Sequence, residues 1–151
     1  MTGGCSAGTG TTMSGLLLSG YPAQYLCFPA LKGGHFLKRA IAQQLLEYQQ
    51  GFSTSGPLKN LVNERLSVPE NYHFGGYAKF RPELISFMNE FYEKYGVMLD
   101  PVYTGKMMYG ITEMINHGEI KSGSRVLAIH TGGLQGIKGM NQRLRNRETV
   151  Y

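Results

Sequence analysis

Apolar residues recur at helical spacing in several stretches of the chain. Leu37, Ile41, Leu45 and Tyr48 fall four, four and three residues apart and predict a helix from about His35 to Gln50, with Gly51 stopping it. Leu84, Met88, Phe91 and Tyr95 form the apolar face of a second helix, opened by Pro82 and closed by Gly96. A third is predicted from Gly105 to His117, with Met108, Ile111 and Ile115 inward and Gly118 as its cap. Leu16, Leu17 and Leu18 suggest a short helix ending at Gly20.

Two continuous apolar runs read instead as buried strands: Tyr25-Leu26-Cys27-Phe28, ending at Pro29, and Val126-Leu127-Ala128-Ile129. The second, apolar without alternation, is expected to be covered on both faces. Residues 51–81 read as loop, broken at Gly56-Pro57, Val68-Pro69 and Gly75-Gly76. Strands alternating with helices predict a layered α/β architecture with a mainly parallel sheet and flanking helices.

A glycine loop that opens a helix normally follows a buried strand. The residues before Gly8 are Met1-Thr2-Gly3-Gly4-Cys5-Ser6-Ala7, with no β-branched run. The strand is therefore expected further upstream, and the chain reads as lacking an N-terminal part.

Composition narrows the class. At 151 residues, 42% hydrophobic and 17% charged, the chain can bury a core and is too apolar for a disordered tail. No apolar run approaches the ~20 residues of a membrane span. Met1 is followed by Thr2-Gly3-Gly4 without a basic segment, so a cytoplasmic location with no membrane partner is expected. Cys5 and Cys27 are too few for a disulfide framework or a metal finger. His35, His73 and His117 share no ligand spacing, so no metal is expected. The net charge of +5 owes much to Arg143, Arg145 and Arg147, with Lys138 just upstream. That cluster has no interleaved aromatics, and residues 140–151 read as a basic, frayed tail rather than a nucleic-acid surface.

Four segments carry candidate chemistry. Gly8-Thr9-Gly10-Thr11-Thr12 combines glycines that let N–H groups turn inward, two kinds of donor and the positive end of the following helix, which together bind a phosphate. It matches neither the P-loop nor the dinucleotide fingerprint, and a flexible Gly/Thr loop is the simpler alternative. Ile129-His130-Thr131-Gly132-Gly133 ends the best strand, where open α/β sheets bind ligands, or is a plain turn with a satisfied histidine. Asp100-Pro101-Val102-Tyr103-Thr104-Gly105-Lys106 puts a tyrosine just before a helix, and Gly75-Gly76-Tyr77-Ala78-Lys79 puts one in a glycine loop.

Taken in order, Gly8 to Leu16, Leu31-Lys32-Gly33-Gly34, Leu99 to Gly110 and Arg125 to Leu134 resemble the 1-aminocyclopropane-1-carboxylate deaminase/D-cysteine desulfhydrase family. These are pyridoxal-5′-phosphate enzymes of the tryptophan-synthase-β-like fold type II. The resemblance runs from Ala7 to about Gly139 and implies that residues 1–139 are the C-terminal part of such an enzyme. It implies that Gly8, Thr9, Gly10, Thr11 and Thr12 hold the cofactor phosphate, that Thr131 faces the pyridine nitrogen, and that Tyr77 and Tyr103 are active-site tyrosines. Thr104 stands where the deaminase proper carries a glutamate, which looks more like the desulfhydrase branch.

The family's Schiff-base lysine precedes the phosphate loop, and no lysine of this chain matches it; Lys32 follows the loop and lacks the motif. The resemblance therefore implies a small amino-acid substrate, β-elimination from D-cysteine or deamination of the cyclopropane amino acid, and a missing N-terminal half as partner. It implies a homodimer when complete, and inactivity of this chain alone. Two other readings stand beside it. One is a truncated, non-catalytic remnant. The other is a nucleotide- or phosphate-binding α/β domain, which would need an acidic residue ~20 positions after the loop, whereas the first one after it is Glu47.

Overall fold

The computed structural model describes residues 1–53, 58–144 and 151, apart from the side chain of residue 59. In chain order the elements are β1 (Thr2–Ala7), α1 (Thr11–Leu18), β2 (Gln24–Pro29), α2 (Phe36–Phe52), α3 (Leu58–Arg65), β3 (Leu66–Ser67), α4 (Pro82–Tyr95), α5 (Thr104–Asn116), β4 (Val126–Ile129) and α6 (Gly136–Leu144). The four strands form one sheet in the order β3-β2-β1-β4, and every pairing is parallel. The layered α/β architecture with flanking helices is therefore what the chain adopts.

Alternation along β2 divides the core. Tyr25 and Cys27 point to the face covered by α1, α2 and α3, where they pack with Met13, Leu17, Leu37, Ile41, Leu45 and Val62. Leu26 and Phe28 point to the other face, against Met107, Ile111 and Met114 of α5. A third cluster, with Leu84, Ile85 and Met88 of α4, Leu99, and Met140 and Leu144 of α6, lies outside α5. Burial in each cluster is worth roughly 25 cal/mol for every Å² of apolar surface removed from solvent.

The central strand is the main departure from the sequence reading. β1 is built from Thr2-Gly3-Gly4-Cys5-Ser6-Ala7, the segment judged too poor in β-branched residues to be one. It pairs on both edges, Cys5 standing opposite Cys27 and Ile129. Its small residues are a packing requirement. A Cβ at Gly4 would lie 2.8 Å from Ile111 Cδ1, and one at Gly3 would lie 3.1 Å from the Tyr25 ring. Two ladders fix the strand, and the space above it decides which residues it can carry.

Other corrections share this origin. The segment 51–81 contains α3 and β3, anchored by Val62 and Leu66, both 3% exposed. Its expected breaker Gly56-Pro57 lies outside the described residues. α2 runs past Gly51 to Phe52 and is closed by Ser53 in the left-handed region. α5 turns Met107, Gly110, Ile111 and Met114 inward, whereas Ile115 is 48% exposed and Met108 half-buried. Gly110 sets that rotation: a Cβ there would be 2.5 Å from Phe28 Cε1, so the helix meets the sheet at its glycine. β4 is an edge strand whose Leu127 is 52% exposed, so it is not covered on both faces.

The boundary drawn at residues 139/140 falls inside α6, where Met140 and Leu144 are buried. Tyr151 donates through its N–H to Asn89 Oδ1 and accepts from the Leu99 N–H at 2.7 Å. Arg145 and Arg147 of the expected tail lie outside the described residues. Among the described residues, no helix is long and apolar enough to cross a membrane.

Candidate functional site

The C-terminal ends of β1 and β4 and the N-terminal ends of α1 and α5 meet around a cleft of about 300 Å³. It is lined by Ser6 to Thr12, Tyr103, Thr131 to Gly133, and Gln135. Parallel strands end together at this edge of the sheet, so the loops that follow them converge there.

The Gly8–Thr12 loop turns into α1 at Gly10, whose φ of +87° suits glycine and whose Cβ would strike Ile41 Cγ1 at 2.6 Å. Gly10 C=O accepts from the Ser14 N–H at 2.9 Å, closing the first turn. The N–H groups ahead of Ser14 have no acceptor within the helix, which leaves its positive end at the cleft. Gln44 of α2 clamps the loop from behind. Its Nε2 donates to Thr9 C=O at 3.1 Å, and its Oε1 accepts from Ser14 Oγ at 2.6 Å. Nothing in the sequence pattern singles out Gln44, which is one polar residue among several on that helix.

The opposite wall is held by Asp100, 1% exposed. Its Oδ1 accepts from the N–H groups of Val102 and Tyr103, both at 2.8 Å. Its Oδ2 accepts from the Thr104 N–H at 2.7 Å and the Thr104 hydroxyl at 2.8 Å. Asp100 thus caps α5 and aims Tyr103, a role readable from an Asp just ahead of an apolar helix. The Asp100 N–H donates in return to Thr104 Oγ1 at 2.8 Å. Fully buried Thr104 is consumed by this cap and does not line the cleft, so the substrate inference drawn from its hydroxyl has no contact behind it. A Cβ at Gly133 would be 2.9 Å from Asp100 Cγ, so the glycine turn after β4 rests directly on the same carboxylate.

Thr131 lines the cleft, fixed by its neighbour His130. His130 Nδ1 accepts the Gly132 N–H at 3.1 Å, which leaves Nε2–H to donate to Met98 C=O at 2.8 Å. This is the satisfied histidine of the simpler reading, and it ties the β4 turn to the segment before α5. Gly132 and Gly133 adopt φ of +88° and +93°.

Tyr103 lies over the loop: a Cβ at Gly8 would stand 3.6 Å from its hydroxyl. Burial pushes its phenol upward, with the Tyr77 hydroxyl and the Asp100 charge adding to the effect. It is therefore a proton and hydrogen-bond donor at neutral pH. Tyr77 is 56% exposed and does not line the cleft; its ring meets Tyr103 nearly edge-on, with centroids 6.2 Å apart. Tyr77 lines an adjoining cavity of about 260 Å³ with Phe80, Val102, Met140 and Arg143.

The cleft has the features of a built ligand site. Ser6 Oγ, buried in its wall, has no hydrogen-bond partner among the described residues, an expense a fold rarely carries without a ligand or water to answer it. No lysine lines the cleft among the described residues. Lys106, one helical turn past Tyr103, is 1% exposed and donates from Nζ to His73 C=O at 2.9 Å and Gly76 C=O at 2.7 Å. Burial lowers its pKa to about 8, against an opposing pull from Asp100. Among the described residues no group of three or more His, Cys, Asp and Glu could hold a metal.

No protein-family model matches the chain. A protein of Pyrococcus horikoshii provisionally named 1-aminocyclopropane-1-carboxylate deaminase is 41% identical over 89 residues, 52% of this chain and 27% of that protein. A Pyrococcus furiosus protein of the same provisional name is 44% identical over 83 residues, 54% of this chain and 25% of its own length. The mitochondrial bifunctional D-cysteine desulfhydrase/1-aminocyclopropane-1-carboxylate deaminase of Arabidopsis thaliana is 43% identical over 63 residues, 41% of this chain and 16% of that protein. These matches span about a quarter or less of the curated relatives. A crystal structure of an ACC deaminase homologue superposes with a TM-score of 0.78 at 26% identity, covering 95% of this chain and 42% of that one. By sequence over about half its length and by fold over nearly all of it, the chain is similar to proteins that carry the 1-aminocyclopropane-1-carboxylate deaminase and D-cysteine desulfhydrase names.

Proposed function

We propose that this chain forms the phosphate- and ring-binding portion of a pyridoxal-5′-phosphate-dependent enzyme that deaminates or desulfhydrates a small amino acid. The observation that carries it is the single cleft that gathers the α1 N-terminus, the unpartnered Ser6 hydroxyl, Tyr103 and Thr131. Gly8 to Thr12 would hold the phosphate through backbone N–H groups and hydroxyls, with the helix dipole replacing a lysine. Thr131 and the Gly132-Gly133 turn would border the ring, and Ser6 would offer its hydroxyl from the wall. The cofactor, when bound, supplies the electron sink that makes loss of a group near the α-carbon possible.

The protein's own residues then do three things. Gln44 and Asp100 hold the two walls in register from outside the cleft. Tyr103, kept protonated by burial, offers a proton at its phenolic oxygen, where a departing amine or thiolate would need one. Thr131 would offer a neutral hydroxyl to the ring nitrogen, and such a partner would leave that nitrogen largely unprotonated, which suits β-elimination from a D-cysteine-like substrate. The lysine that would bind the cofactor covalently is assigned to another segment of the enzyme, because none lines the cleft among the described residues and Lys106 is committed to two carbonyls. On this reading residues 1–139 work with that lysine-bearing segment, the complete protein is a homodimer, and the chain alone does not turn over.

The test is a titration of the purified chain with pyridoxal phosphate, pyridoxal and inorganic phosphate. Pyridoxal phosphate should bind at least tenfold more tightly than pyridoxal and be displaced by phosphate. Borohydride should label no single lysine, and D-cysteine should release neither sulfide nor ammonia. Equal binding of pyridoxal would remove the phosphate assignment. Labelling of one lysine together with product release would overturn the assignment of that lysine to another segment.

A further inference from the structure

We propose that Lys106 is the positioning residue for Tyr77: its buried ammonium, bonded to the carbonyls of His73 and Gly76, holds the 73–79 loop so that Tyr77 stands against Tyr103. The inference rests on the proposed function only in treating Tyr103 as part of a ligand cleft.

At its start the loop is anchored by Phe74, 8% exposed and edge-on to Tyr109 with ring centroids 4.9 Å apart; the stretch that carries Tyr77 has polar anchors instead. Phe74, Gly75, Gly76 and Ala78 take φ values of +54°, +98°, +119° and +50°. Non-glycine residues adopt that region at a cost, so Phe74 and Ala78 need something outside the loop to hold them there. Internal bonds close two small turns. The Gly76 N–H donates to His73 C=O at 3.0 Å, and the Lys79 N–H donates to Gly76 C=O at 3.1 Å. These are the same two carbonyls to which Lys106 donates, so its Nζ sits where both turns close. His73 Nδ1 accepts the Gly75 N–H at 2.9 Å and contributes locally. From the other side Arg143 of α6 donates to Ala78 C=O at 2.9 Å. Tyr77, between the two anchored stretches, is thereby presented to Tyr103.

Geometry excludes the obvious alternative use of a buried lysine so near Tyr103. Lys106 does not line the cleft, and its nitrogen points to the loop. Charge-assisted bonds to carbonyls are stronger than neutral ones, and an ammonium can serve several acceptors at once from one point. Methionine at 106 would keep most of the volume and lose every donor. The two carbonyls would keep their turn N–H donors and lose their link to α5, and the loop would be free to leave Tyr103.

The chain has no tryptophan, so Tyr77→Trp provides a single fluorescent reporter on the loop. Acrylamide quenching of that reporter is compared with Lys at 106 and with Lys106→Met. A second reporter, Tyr48→Trp on α2, is carried through the same pair as a control. The expected result is at least a twofold rise in quenching at position 77 on Lys106→Met, with position 48 unchanged and the far-ultraviolet circular dichroism intact. Unchanged quenching at 77 in a folded Lys106→Met protein overturns the proposal, as does an equal rise at both positions. If Lys106→Met does not fold, hydrogen exchange in the unaltered chain decides. The Gly76 and Lys79 amides should be protected to the level of the α5 amides, and exchange at the rate of a free loop overturns the proposal. No cofactor enters these measurements, so failure of the pyridoxal phosphate titration leaves their outcome readable.

Discussion

Replacing Asp100 with asparagine changes one atom of a side chain that is 1% exposed, and the structure makes that change expensive. Each carboxylate oxygen receives two donors: Val102 and Tyr103 N–H on Oδ1, Thr104 N–H and hydroxyl on Oδ2. Asparagine offers one acceptor oxygen and one NH₂ group. In either orientation of the amide, two donors face nitrogen instead of oxygen. Hydrogen bonds to a charged group contribute about 1.5–3 kcal/mol each, and a buried donor left unpaired costs about 1–3 kcal/mol. The surviving pair also loses its charge assistance. We expect Asp100→Asn to cost about 3–5 kcal/mol, a large share of the ~5–15 kcal/mol available to an ordinary domain. The assay is urea denaturation followed by circular dichroism, reading the midpoint at unchanged slope. On the proposed function, affinity for pyridoxal phosphate should fall as well, because Tyr103 and the Gly133 turn both rest on this carboxylate. A loss below about 1 kcal/mol would show that asparagine restores the cap and that the charge at Asp100 is dispensable.

Two further outcomes follow from packing and burial. Gly110→Ala should destabilise the chain by about 1–3 kcal/mol despite alanine's better helix propensity, because its methyl group meets the 2%-exposed Phe28 at 2.5 Å and Tyr72 at 3.0 Å; a raised urea midpoint would contradict this. Alkaline stability should show two opposed contributions, read as urea midpoints at pH 8, 9 and 10. Lys106 titrates at about 8 in the folded chain against an ordinary 10.5, so the unfolded chain binds more protons between those values and stability rises with pH, by about 3 kcal/mol over the window. Burial raises Cys5 from 9.0 to about 11 and Cys27 to about 12, so the stability they confer below pH 9 is lost as pH climbs through those values. Lys106→Met should remove the rising part and make the decline begin near pH 9; identical pH profiles for the two proteins would refute it.

The sequence by itself determined the elements whose information is local. α4 begins at Pro82 and ends at a left-handed Gly96, and β2 is a continuous apolar run, so each could be read without knowing its neighbours. The Gly8–Thr12 loop was legible as a turn into a helix, because glycines and hydroxyls ahead of an apolar run have a chemistry of their own. Tertiary structure decided the rest. β1 is a strand because β2 and β4 flank it, and its glycines are set by Ile111 and Tyr25. The inward face of α5 was ambiguous by periodicity, since apolar residues occur on adjacent faces, and contact between Gly110 and Phe28 resolved it. Thr104 shows the same limit at the site: the resemblance read its hydroxyl as a mark of the desulfhydrase branch, and in the fold Asp100 takes both its donor and its acceptor. Ser6 and Gln44 carry no motif, and Lys106 closes one that gave it no role; the contacts of Gln44 and Lys106 lie 30 or more residues away, and Ser6 Oγ has no partner among the described residues. Local periodicity and turn chemistry act over a few residues of chain, whereas the burial of a polar group depends on whatever the whole fold brings against it.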